Sequence, residues 1–105
     1  MTATIRFTSA AEQDLPAAFL WYEGQSAGLG TRLMARVDDL LARVAETPLQ
    51  FPEIMSGYRR ALLQRFPYGI YFSIGYDDDE VCVHAILHLH RDPAHWQGRL
   101  SGGAG

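Results

Sequence analysis

Ile5 and Phe7 alternate with Arg6 and Thr8, the period of a short strand. The period then lengthens. Leu15, Ala18, Phe19 and Tyr22 recur at helical spacing as far as Glu23, and Gly24 is expected to stop the helix. Two caps compete for its start. Ser9 with Glu12 three residues on has the form of a capping box, whereas Asp14 as N-cap would put Pro16 in the tolerated first turn. A kink or a late start is expected. After Gly28 and Gly30, the residues Leu33, Val37, Leu40, Leu41 and Val44 form the clearest apolar stripe in the chain. Its outer face carries Arg32, Arg36, Asp39, Arg43 and Glu46, with Asp39 four residues before Arg43 in the orientation that favours an ion pair. Thr47-Pro48 ends this helix, and Pro52 to Gly57 reads as a loop. A short connection makes the two helices an antiparallel hairpin.

From Tyr58 the period falls to two. Arg60, Leu62 and Gln64 face one way and Arg59, Ala61 and Leu63 the other, which predicts a second strand. Arg65-Phe66-Pro67-Tyr68 makes a turn, and Ile70, Phe72, Ile74 and Tyr76 begin a third strand that ends at the acidic tip Asp77 to Glu80. A fourth strand follows. Val81, Val83, Ala85, Leu87 and Leu89 line one face of it, and Cys82, His84, Ile86, His88 and His90 the other. A short helical turn is expected around Pro93, Trp96 and Arg99, and residues 101–105 are expected to be disordered. The order predicts one α+β domain over residues 1–100: an N-terminal strand, a two-helix hairpin on one face of the sheet, a three-stranded antiparallel meander and a short C-terminal turn or helix.

Composition narrows the function classes. Of 105 residues, 48% are hydrophobic and 20% charged, the balance of a globular chain that would bury roughly 65% of its unfolded surface. All nine cations are arginines, against twelve acids and a formal charge of −3. That balance argues against nonspecific coating of nucleic acid, which requires many phosphate-neutralising cations. Cys82 is the only cysteine, so neither an intrachain disulfide nor a cysteine-rich zinc site can be built, and it reads as a structural thiol in a reducing compartment. No signal-like start and no membrane-length apolar run is present, which points to a cytoplasmic protein.

Phosphate-binding loops, dinucleotide fingerprints, nucleophile elbows and zinc-protease motifs are absent, and no cofactor or metal is expected. His88 and His90 share a strand face, so a metal would need His84, His95 or a carboxylate as third ligand; proton transfer suits these imidazoles better. Residues 58–76 hold Arg59, Arg60 and Arg65 and no acid. Guanidinium forks bind phosphates and carboxylates in pairs, but alternation sends Arg59 and Arg60 to opposite faces. Tyr68, Tyr71, Phe72 and Tyr76 lie at the strand spacing of core aromatics.

Several ordered motifs together carry a resemblance. Trp21-Tyr22-Glu23, Gly28-Leu29-Gly30, Pro48 with Phe51-Pro52, Tyr58-Arg59-Arg60, Arg65-Phe66-Pro67-Tyr68 with Ile70-Tyr71-Phe72, and His88 with Arg91-Asp92-Pro93, Trp96 and Arg99 span residues 3–100. The set resembles the RelE/ParE superfamily of toxins from type II toxin-antitoxin modules, above all its ParE-like branch of plasmid stabilisation proteins. Pro16 departs from the usual uninterrupted first helix. The resemblance implies a bacterial growth inhibitor held inactive by a cognate antitoxin that wraps it and touches operator DNA, so that the toxin meets DNA only indirectly. The branch implies DNA gyrase as target, without a catalytic activity of the toxin's own. The alternative is a ribosome-dependent mRNA endoribonuclease using Arg65, His88, His90, Arg91 and His95; a second is a non-toxic antitoxin-binding or co-repressor subunit. Absence of lysine, negative net charge and Trp96, whose indole cannot act as a base, favour gyrase. Target or antitoxin binding is expected at Arg59, Arg60, Arg65, Tyr68, His88, Arg91, Trp96 and Arg99.

Overall fold

A computed structural model of the chain describes residues 2–75, 77, 79–90 and 93–101, with the side chains of Pro93 and Ala94 left aside. Its elements run β1 (Thr4–Phe7), α1 (Ser9–Gln25), α2 (Leu29–Glu46), a 3-10 turn (Pro48–Gln50), β2 (Glu53–Met55), β3 (Tyr58–Leu62), β4 (Tyr68–Ile74), β5 (Glu80–His88) and α3 (Pro93–Ser101). The described strands form one sheet in the order β1-β5-β4-β3-β2, antiparallel except for β1, which runs parallel to β5. The expected α+β architecture is present, with one strand more than the meander predicted. Ser56-Gly57, with Gly57 at φ 82°, closes a tight hairpin between β2 and β3 where the sequence reads as loop.

Helix α1 starts early. Thr8, not Ser9 or Asp14, is the N-cap, and its side chain accepts the Ala11 N–H at 3.1 Å. Pro16 therefore lies inside the helix rather than in its first turn. Gly24 does not stop α1, which continues to Gln25; the left-handed residue the connection needs is Gly28, at φ 88°. Gly28 offers no side chain to cap α2. Glu23 does so instead, accepting the N–H groups of Gly28 (3.1 Å), Gly30 (2.8 Å) and Thr31 (3.4 Å). The Gly28 bond first, with those of Gly30 and Thr31, holds the Glu23 carboxyl below its ordinary value against the opposing effect of burial. Gly30 is fixed by contact: a Cβ there would meet the Phe19 carbonyl oxygen at 2.6 Å.

The stripe of α2 faces the sheet as its spacing requires. Leu33, Val37, Leu40 and Val44 are buried with Ile70, Phe72, Val81, Val83 and Ile86 in the main core. A second cluster lies on the opposite face, where Tyr71, Ala85, Leu87 and Leu100 gather with Trp96 of α3. Helices thus cover both faces, not one. The strict alternation expected along β5 also fails. Tyr71 pairs with Ala85 but Phe72 with Val83, so His84 is an extra residue in β5, a bulge. Beyond it the faces exchange, sending Ile86 to the main core and Ala85 and Leu87 to the α3 side. Among the described residues no helix is long and apolar enough to cross a membrane. Tyr76 and Asp78 near the hairpin tip, Arg91, Asp92 and the tail 102–105 lie outside the described residues, whereas Ser101 ends α3.

Candidate functional site

Strand β1 ends opposite Val83, where Thr8 N–H closes on the Val83 carbonyl at 3.0 Å, so the backbone groups of β5 beyond that point have no ladder partner on the β1 side. Two distant side chains satisfy them. Asp14 from α1 accepts the Ile86 N–H at 3.0 Å, and Arg99 from α3 donates to the His84 carbonyl at 3.1 Å. The same two side chains form a fork, Nη1 to Oδ1 at 3.2 Å and Nη2 to Oδ2 at 2.9 Å. Only 15% of the Asp14 side chain and 24% of the Arg99 side chain is accessible, so this pair ties α1, β5 and α3 together in partial shelter from solvent.

A cavity of about 560 Å³ opens beside the pair. Tyr68 at the start of β4 faces His88 at the end of β5, their rings edge-on at 5.3 Å, and the His88 and His90 rings meet at 5.0 Å. His90 N–H donates to Nδ1 of His88 at 3.1 Å, which places the proton of a neutral His88 on Nε2. His95 completes the wall from α3, and Trp21, 56% exposed, forms the opposite lip from α1. The cavity therefore combines three imidazoles and a phenol, groups that move protons, with one guanidinium already neutralised by a carboxylate.

Tyr68, His88, His90, His95 and Arg99 are brought together; the remaining described residues singled out from the sequence are not. Arg59 donates to the Phe51 carbonyl at 2.6 Å and lies 3.9 Å from Glu53. Arg60 points to the other face, opposite Tyr71, with its stem across Gly69. Arg65 sits in the β3–β4 turn at φ 71°, beside α2. Trp96 stacks on Tyr71 at 5.6 Å and 21° in the second cluster. Arg91 lies outside the described residues. The cationic stretch from 58 to 76 is thus dispersed among different surfaces.

His84 bonds Ser73 Oγ through Nε2 at 2.7 Å and packs edge-on against Tyr58, and burial lowers its pKa, which favours the neutral imidazole. Cys82 is half-buried; burial raises its pKa and so favours the thiol over the thiolate. Among the described residues no group of three histidine, cysteine or carboxylate side chains is arranged to hold a metal ion. Sequence reading missed Asp14 and Trp21. Asp14 looks like a cap beside Pro16, and its partners lie 72 and 85 residues away. Trp21 enters the sequence reading only through the Trp21-Tyr22-Glu23 motif, although a large aromatic adjacent to the buried Tyr22 lies on another helix face.

A family model described as the ParE toxin of the type II toxin-antitoxin system, parDE, matches residues 5–93. The chain belongs to this family. A chain of the chromosomal ParDE toxin-antitoxin system from P. aeruginosa superposes with a TM-score of 0.74 at 17% identity, covering 85% of this chain and 98% of that one. One from the toxin-antitoxin complex RelBE2 of Mycobacterium tuberculosis gives 0.61 at 22% identity, over 84% and 99%. E. coli toxin RelE, as a double arginine-to-alanine mutant in the free state, gives 0.56 at 12% identity, over 97% and 98%. These likenesses establish a shared fold. No curated protein matches by sequence. Every element that builds the cavity except α3 beyond its first residue falls within the matched span of this ParE-family chain.

Proposed function

We propose that this ParE-family toxin arrests bacterial growth by poisoning DNA gyrase in the cytoplasm and is neutralised by a cognate antitoxin. Family membership over residues 5–93 carries the toxin reading, and the ParDE and RelBE2 assemblies among its structural neighbours support an antitoxin partner. One geometric observation supports gyrase over message cleavage. Arg99, the only arginine among the described residues lining the cavity, is forked to Asp14 and to the His84 carbonyl, so its charge is spent before a phosphate could arrive. An RNA-cleaving site needs an available cation to stabilise the phosphorane. The second reading, a ribosome-dependent endoribonuclease, is favoured by the convergence of His88, His90 and His95 on that cavity. Purified toxin is tested against gyrase in a supercoiling assay and against ribosome-bound message. Blocked supercoiling with intact message is expected; cut message with unimpaired gyrase would overturn the proposal.

A further inference from the structure

Ser73 of β4 and His84 of β5 form a polar pair apart from the histidine cavity. Alternation along β4 sends Phe72 and Ile74 to the main core, so Tyr71 and Ser73 face the α3 side. The bulge brings His84 to the same face, where its Nε2 stands 2.7 Å from Ser73 Oγ. A hydroxyl on an imidazole nitrogen is the arrangement from which an alcohol becomes nucleophilic, because the base takes the proton as the oxygen attacks. Access matters as much as distance. Ser73 and His84 are each partly accessible, whereas their chain neighbours Phe72, Val83 and Ala85 are buried.

The surroundings leave this imidazole able to act as a base. Tyr58 of β3 backs it edge-on at 5.1 Å and commits its own hydroxyl to the Leu100 carbonyl of α3 at 3.3 Å. From α3, Arg99 donates to the His84 carbonyl and is balanced by Asp14. Towards β1, Cys82 is paired with Ser73 on one side and Arg6 on the other, and Arg6 lies 3.3 Å from Glu80. Among the described residues no carboxylate is within ion-pair distance of His84, and burial favours its neutral form, the one that accepts a proton. Gly75, the next residue in the Ser73 alternation, has no side chain to cover the approach. Met55, paired with Tyr58, makes the β2 side apolar.

We propose that Ser73 is a base-activated nucleophile that takes up the acyl group of small activated acyl donors, with His84 Nε2 as its base. With the imidazole proton on Nδ1, the Ser73 O–H donates to Nε2. Ser73 Oγ attacks the acyl carbon and forms a new C–O bond while its proton passes to Nε2. The donor's own C–O bond then breaks with its electron pair on the leaving oxygen, which is protonated by Nε2 in turn. An ester on Ser73 remains and the step needs no further reactant. Aryl esters and acyl phosphates share the required chemistry, a leaving oxygen acidic enough to depart with help from one imidazole. A short uncharged acyl group suits the apolar flank of Tyr58 and Met55. The pair is separate from the histidine cavity and does not depend on which cellular target the toxin has.

The probe is p-nitrophenyl acetate, added to the full chain; samples are quenched in acid over time, digested and mapped by mass for acetyl groups on each serine. The chain has no lysine to compete for the acyl group, and Ser26 and Ser56, both exposed, serve as internal references. Acetylation of Ser73 at least about tenfold faster than of either reference is expected although Ser73 is less accessible, falling about a hundredfold in His84→Gln and unchanged in Cys82→Ala. Its rate should level off once the imidazole is neutral, whereas an unassisted hydroxyl keeps accelerating with hydroxide. Thermal unfolding verifies that the variants are folded. The serine comparison and the pH profile use the unaltered chain and decide the matter if His84→Gln does not fold. No acetyl on Ser73, equal labelling of Ser26 or Ser56, equal Ser73 labelling in folded His84→Gln, a rate lost with Cys82, or a rate that climbs without levelling would each overturn the proposal.

Discussion

Replacing Gly30 by alanine sets two effects against each other. Within a helix the exchange removes backbone freedom from the unfolded chain and gains up to about 1 kcal/mol. At this position the added methyl meets the Phe19 carbonyl oxygen at 2.6 Å, Glu23 Cγ at 2.8 Å and the Phe19 ring at 2.8 Å. The first of these is backbone and cannot swing away. Restoring ordinary van der Waals separation requires α1 and α2 to part by about 0.8 Å, which also lengthens the bonds from Glu23 to the start of α2. Overpacking of this kind costs about 1–3 kcal/mol, and an immovable obstacle puts Gly30 at the upper end. The net expectation is a loss of about 2 kcal/mol, or about 10 °C in Tm for a chain of this size. Gly24→Ala supplies the opposite case, since nothing lies within 4 Å of a Cβ there and the position is in the last turns of α1. It should gain a few tenths to about 1 kcal/mol. Urea unfolding of both variants measures the difference. A Gly30→Ala protein as stable as the parent would refute close helix contact as the reason for glycine at this position.

Phe72, fully buried in the main core, should cost about 3–5 kcal/mol on truncation to alanine in the same urea assay; a loss below about 1 kcal/mol would contradict its place there. A double-mutant cycle on Asp14→Ala and Arg99→Ala should return a coupling of about 1–2 kcal/mol, because the pair shares the β5 bulge and both side chains are mostly sheltered; additive losses would show that the two act independently. His84 gives stability a pH dependence of known sign. Its pKa is depressed by burial, so its contribution is complete above the ordinary value of 6.5 and is lost as pH falls through the lower folded value. Unfolding midpoints should therefore drop as pH falls from neutral to below 6.5, less steeply in His84→Gln, while Glu23 acts in the same sense only near and below 4.5. An equal slope in the variant would remove His84 as the cause.

Local patterns carried much of the architecture into view. The stripe from Leu33 to Val44 announced α2 because Leu33, Val37, Leu40 and Val44 each fall about one turn from the last, and the period-two logic that put Arg59 and Arg60 on opposite faces is obeyed by their partners Phe72 and Tyr71. What stayed hidden depends on pairing. Nothing near His84 signals a bulge, since the extra residue exists only relative to Tyr71 and Phe72 on β4. Thr8 took the cap from Ser9 because β1 delivers the chain at that residue, its N–H already bound to Val83. The candidate site divides in the same way. Tyr68 and His88 meet because they end paired strands, but Asp14 enters through contacts across the whole chain, and the arginines of residues 58–76 were scattered by turn and strand geometry that composition does not record.

The parallel pairing of β1 with β5 has a consequence for synthesis. Thr4 emerges first from the ribosome, yet its partner Glu80 follows only after 75 intervening residues, and Phe7 must wait for Val83. Until then the helical hairpin has no completed sheet to cover its stripe, and loop closure over that span is slow. A partly made chain therefore cannot assemble the cavity or the tie between Asp14 and Arg99, both of which need β5 and α3. Delaying assembly until β5 and α3 have been made keeps every shorter nascent chain of this ParE-family protein without its cavity.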